Sequence, residues 1–127
     1  MINKDIQKNT SIWVVSQSID KMIYPTTAKF IRWESHHSFK LVIIEYNQKY
    51  ICCPTHLTFA TKHNAQAYAS INFLKMYYEF DPFFVMENIE SEILQDAYEL
   101  VEFYEKYHPS LYLYYWMGDT PNRNKKM

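Results

Sequence analysis

Apolar and polar residues alternate along the first half of the chain and recur every three to four residues along the second. Alternation predicts strands, because successive strand side chains point to opposite faces. Ile12 to Ser16 is a short β-branched and aromatic run, and a weaker run spans Ile19 to Tyr24 before Pro25. Ala28 to Glu34 reads as a strand with Ile31 and Trp33 on one face and Phe30 on the other. Phe39 to Tyr46 is the clearest strand. Its Leu41-Val42-Ile43-Ile44 core is apolar on both faces, as expected of a central strand. Lys49 to Cys53 returns before Pro54. His36-His37-Ser38 and Asn47-Gln48 are the connecting turns, which makes a meander of three or four antiparallel strands.

The period then changes. Thr61 is a candidate N-cap with Asn64 three residues later. Ala65, Ala69, Phe73, Met76 and Phe80 follow at helical spacing, and Tyr68, Ile71, Leu74 and Tyr77 widen the apolar face. Lys62, Gln66, Ser70, Lys75 and Glu79 form the polar stripe of a broadly buried helix, expected to lie across the sheet until Asp81-Pro82 ends it. Phe83-Phe84-Val85-Met86 leads to a second helix, about residues 87–107, whose apolar face is Ile89, Ile93, Ala97, Leu100, Val101 and Tyr104. Pro109 stops it. Leu111 to Trp116 is uniformly apolar and fits either a last strand or a segment capping the core, and a basic tail follows Gly118. The expectation is one α+β domain over residues 1–127. It has a mainly antiparallel sheet of three to five strands against two helices, with residues 1–10 and 119–127 flexible.

Composition removes whole classes of function. Gly118 is the only glycine among 127 residues, where ordinary usage would give roughly nine. Dinucleotide fingerprints, phosphate-cradling loops, the nucleophile elbow and the EF-hand loop all need glycine at fixed positions. Hairpin turns of positive φ are also expected to be few. Twelve Tyr, eight Phe and three Trp are more aromatic surface than a small core needs, and a homodimer interface is one outlet for the surplus. The amino-terminal residues show no apolar signal-peptide stretch, and no run approaches the ~20 apolar residues of a membrane helix. Cys52 and Cys53 are adjacent, a spacing that does not suit a disulfide in a strand. The chain reads as a soluble, reduced, cytoplasmic protein.

The net charge of −1 hides an asymmetry. Residues 1–80 carry +4, residues 81–109 carry −7 and residues 110–127 carry +2. On a wheel with Glu92 at zero, Asp96 falls at about +40°, Glu99 at about −20° and Glu102 at about −80°. Phe103, at about +20°, lies inside this acidic stripe, and Tyr98, at about −120°, also lies away from the apolar face. Glu87, Glu90 and Glu92 suit the positive end of the helix dipole, whereas Glu99, Glu102 and Glu105 do not. Only Glu102 has a favourable (i, i+4) partner, in Lys106. Glu92, Asp96, Glu99, Glu102, Phe103 and Tyr98 are therefore the candidate residues for contact with a basic protein partner.

Other chemistry is thin. Cys52, Cys53, His56 and His63 do not match zinc-ligand spacing, and no cofactor or metal is expected. Cys53 with His56, His36, His37 or His108 would make a nucleophile and base only if the fold assembled them. Trp13, Trp33, Tyr46 and Tyr50 on a basic sheet would offer bases a stacking platform. Two arginines in the whole chain and an acidic helix argue against nucleic-acid binding. The sequence favours a non-catalytic binder of a protein. That mode is compatible with small inhibitors from mobile elements, such as anti-CRISPR proteins or other phage counter-defence factors. A small Cys/His enzyme and a nucleic-acid-binding module are the alternatives.

Overall fold

The computed structural model describes residues 2–18, 20–79 and 91–118. Five antiparallel strands form one sheet: β1 (Ser11–Val14), β2 (Thr26–His36), β3 (Phe39–Tyr46), β4 (Lys49–Pro54) and β5 (Thr58–Phe59). Their order is β4-β3-β2-β1-β5, so β2 rather than β3 is central. A single 3-10 turn, Thr55–Leu57, joins β4 to β5. The helices α1 (Lys62–Glu79), α2 (Ser91–Tyr107) and α3 (Pro109–Gly118) follow. Phe80, Asp81-Pro82, Phe83 to Met86, Glu87, Ile89, Glu90 and the tail 119–127 lie outside the described residues, as does Ile19. The rest of the weak run before Pro25 is a turn, not a strand, and it buries Met22 and Ile23.

Register decides which side chains share a face, because directly paired residues on antiparallel strands project to the same side. Phe30 pairs with Ile44, Arg32 with Ile43 and Trp33 with Val42. Ile31 is thus the extra residue of a β-bulge. The bulge breaks the simple alternation read from the sequence. Phe30 and Trp33 lie on one face, with their rings 5.6 Å apart and edge to face. That face holds Ile12, Ala28, Val42, Ile44 and Cys53, all buried, and is closed by Ile2, Val15, Met22, Ile23 and Leu57. The segment before β1 is tied on by Asn9 N–H to Phe30 O at 2.6 Å and Phe30 N–H to Thr10 O at 2.9 Å.

Both hairpins turn through two residues, and they use positive φ without glycine. His37 has φ 58°, Asn47 52° and Gln48 64°. The expectation that such turns would be few is overturned. The right-handed twist of paired strands favours these turns, and asparagine tolerates the left-handed region best after glycine.

Thr61 caps α1 as expected, its Oγ1 accepting from Asn64 N–H at 3.2 Å and Asn64 Nδ2 at 2.8 Å. The helix does not lie across the sheet. It touches the sheet mainly at β1 and β5 and packs chiefly against α2 and α3. Part of the expected polar stripe is consumed by this packing, while Lys62 and Glu79 at its ends stay exposed. Ser70 is buried and donates its hydroxyl to Gln66 O at 2.9 Å. Lys75 is buried and donates Nζ to Tyr115 O at 2.5 Å, near the carbonyl end of α3.

Residues 111–116 are helical, so the third helix replaces the possible carboxy-terminal strand. Pro109 ends α2 and then serves as the first residue of α3, where its missing N–H costs nothing. His108 N–H closes on Tyr104 O at 2.9 Å, and Tyr112 N–H on His108 O at 3.0 Å. A run apolar at every position carries no period to read. Inside the fold, Tyr115 is buried, and Leu111, Tyr112 and Trp116 are half-buried beside it. Tyr115 donates its hydroxyl to Asn64 Oδ1 at 3.1 Å and sets its ring against Phe59 and Tyr68. No described helix is long and apolar enough to cross a membrane.

Candidate partner-binding surface

The helix α2 has two distinct sides. Ile93, Ala97 and Tyr104 are buried against α1 and α3, with Leu100 and Val101 half-buried beside them. Glu92, Glu99, Glu102 and Glu105 are exposed. Among the described residues the only ion pair is Arg32 with Glu34, at 3.2 Å on the sheet, so none reaches these carboxylates. Glu99 accepts a hydrogen bond from Gln95 Nε2 at 3.2 Å. The expected partner of Glu102 turns elsewhere, since Lys106 Nζ sits over the Tyr107 ring at 5.2 Å.

Two of the six predicted contact residues have internal work. Asp96, at the edge of the stripe, is half-buried and accepts the Tyr24 hydroxyl at 2.6 Å, tying α2 to the turn before β2. Tyr98 is half-buried against α1 rather than outward, and its hydroxyl lies 2.5 Å from that of Tyr78. The bond to Tyr78, with some burial, pushes the Tyr98 phenol up to about 12. The remaining four, Glu92, Glu99, Glu102 and Phe103, are exposed together.

Phe103 is 41% exposed and belongs to a ring cluster that sequence spacing did not show. Its ring lies 5.1 Å from Tyr104, 5.2 Å from Tyr107 and 5.6 Å from His108. His63, from the first turn of α1, completes the cluster, 5.0 Å from the His108 ring and with Nδ1 3.1 Å from the Tyr104 hydroxyl. Burial raises the Tyr104 phenol above its ordinary value, so it stays protonated beside that imidazole. His63 comes from α1 and His108 from the break between α2 and α3, and their only sequence signal is the N-cap at Thr61 and the break at Pro109.

The Cys/His grouping is not assembled. Cys52 pairs with Ile43 and Cys53 with Val42, so the two thiols project to opposite faces and both are free. Cys53 borders a cavity of about 310 Å³ that no histidine lines among the described residues. Burial, and then the neighbouring Cys52, pushes its thiol up to about 11, opposite to the shift that activates a nucleophile. No cluster of three metal-ligating side chains occurs among the described residues. The four sheet aromatics divide as well. Trp33 and Tyr46 share the face of Val42 and Ile44, whereas Trp13 pairs with Thr27 and Tyr50 with Glu45 on the other. No protein-family model matches the chain, and neither a curated protein nor a solved structure matches it.

Proposed function

We propose that the protein acts without catalysis, by binding a protein with a basic surface through the outer face of α2. One observation carries the reading: Glu99 and Glu102 stand exposed within a turn of Phe103, Glu92 is exposed further along the helix, and no ion pair among the described residues reaches these carboxylates. Exposed carboxylates steer a basic partner and fix its register. An aromatic ring braced by Tyr104, Tyr107 and His108 supplies contact area that is already ordered. The partner that fits best is one whose basic groove holds nucleic acid, since a row of carboxylates matches the charge such a groove receives. That mode is compatible with small inhibitors of the anti-CRISPR or phage counter-defence type, and it requires no active site.

The test reverses charge at two exposed carboxylates and removes the exposed ring within a turn of them. Tagged wild-type protein and a Glu99→Lys/Glu102→Lys/Phe103→Ser variant are each used to recover partners from the native host. Basic proteins recovered by the wild type should be lost from the variant. Recovery of the same partners at the same strength ends the proposal.

A further inference from the structure

The largest cavity described lies on the sheet, and no residue of α2 lines it. Its volume is about 530 Å³, inside the roughly 300–1,000 Å³ usual for small-molecule sites. Trp33 and the buried Ile2 give it apolar walls, with Lys4, Ser35 and Lys40 around them. Register explains why these groups converge. Ser35 pairs with Lys40, and Trp33 lies two residues before Ser35, so all three project from one face. They do so because Ile31 is absorbed in the bulge. Counted by strict alternation from Phe30, Trp33 and Ser35 would point the other way. Bulges that re-aim side chains in this manner concentrate beside binding sites.

The electrostatics of the cavity are one-sided. Lys4 and Lys40 have no ion-pair partner among the described residues. Glu34 also borders the cavity, but its carboxylate is bonded to Arg32 at 3.2 Å. Thr55 donates its hydroxyl to Lys40 O at 2.6 Å, which holds the 3-10 turn against the β3 end of the cavity. An indole wall selects a flat aromatic ring, because stacking needs a π-face and little else. Two ammonium groups and a serine hydroxyl at the mouth select an anionic substituent on that ring.

We propose that this cavity is a binding site for a small planar aromatic anion, with Trp33 as the stacking wall and Lys4 and Lys40 as the anion contacts. The site is independent of the α2 surface, so either can fail alone. The probe is anilinonaphthalene sulfonate, followed by its fluorescence on the full chain. N-phenylnaphthylamine, which has the same rings without the sulfonate, is the control. Saturable binding of one equivalent is expected for the sulfonate. The Lys4→Glu/Lys40→Glu variant should bind the sulfonate about tenfold more weakly and the neutral control unchanged. Both substituted lysines are exposed, so folding is not at stake. Trp33→Leu should weaken both dyes by about tenfold, as loss of one stacking wall predicts. No saturable sulfonate binding by the wild type overturns the proposal, and so does equal sulfonate affinity in the double-lysine variant.

Discussion

The helices α1 and α2 are nearly equal in length, and both are legible from the same period, yet their polar residues meet opposite fates. On α2 the glutamates stay in water, and the apolar face alone is covered. On α1 the middle of the intended solvent stripe is covered too, with Ser70 and Lys75 buried and Lys75 claimed by α3, while Lys62 and Glu79 stay exposed. A helix wheel reports which residues are polar. It does not report how many neighbours arrive, and a polar stripe becomes surface only where no later element packs.

Substitutions test this contrast. The largest effect is expected for Phe73→Ala on α1, which opens a cavity at a fully buried site and should cost about 3–5 kcal/mol in denaturant unfolding. A cost below that of truncating the half-buried Val101 on α2 would reverse the roles of the two helices. Next comes Lys75→Ala, which takes the ammonium from the Tyr115 carbonyl and should cost about 1–3 kcal/mol. The same change at the exposed Lys106 should stay within about 0.5 kcal/mol. Equal costs at the two lysines would mean that burial of Lys75 contributes nothing. Tyr24→Phe removes the hydroxyl donated to Asp96 and should cost about 0.5–1.5 kcal/mol. An unchanged unfolding midpoint would show that the Tyr24 bond to Asp96 contributes nothing to stability. Glu99→Lys and Glu102→Lys should each change stability by no more than about 0.5 kcal/mol. A larger loss would show that these carboxylates serve the fold.

Cys53 adds a pH dependence on the sheet side. Its thiol titrates near 9 when unfolded and about 11 when folded, so the folded state holds the proton more tightly. Its contribution is complete below pH 9 and disappears as the pH rises towards 11. Unfolding midpoints should therefore fall across that window, and fall less steeply in Cys53→Ala. Identical slopes would show that the thiol is solvated in the native state.

The sequence disclosed those features that are set locally. Phe39–Tyr46 formed with the expected limits, the Thr61 cap holds, and the outward glutamates of α2 are outward. The misses arise where distant residues decide the outcome. Nothing near Ile31 announces that β3 will skip it, so the facing of Trp33 could not be counted from Phe30. Nothing in the Leu111 to Trp116 run separates strand from helix until Tyr115 meets Asn64. Asp96 looked like its neighbours because Tyr24 lies so far along the chain, and His63 and His108 gave no sign of their proximity.

The bulge at Ile31 also has a meaning for sequence drift. Read without that residue, Phe30-Arg32-Trp33-Glu34-Ser35 alternates inward and outward perfectly, and every cross-strand pair with β3 is already in place. Ile31 is thus one residue more than β2 needs to pair with β3 at that point. It is the position in β2 where the chain can be shortened while Trp33 and Ser35 keep their side of the sheet. Losing Glu34 instead would draw the bulge out and turn Trp33 to the opposite face, while Ser35 stays opposite Lys40.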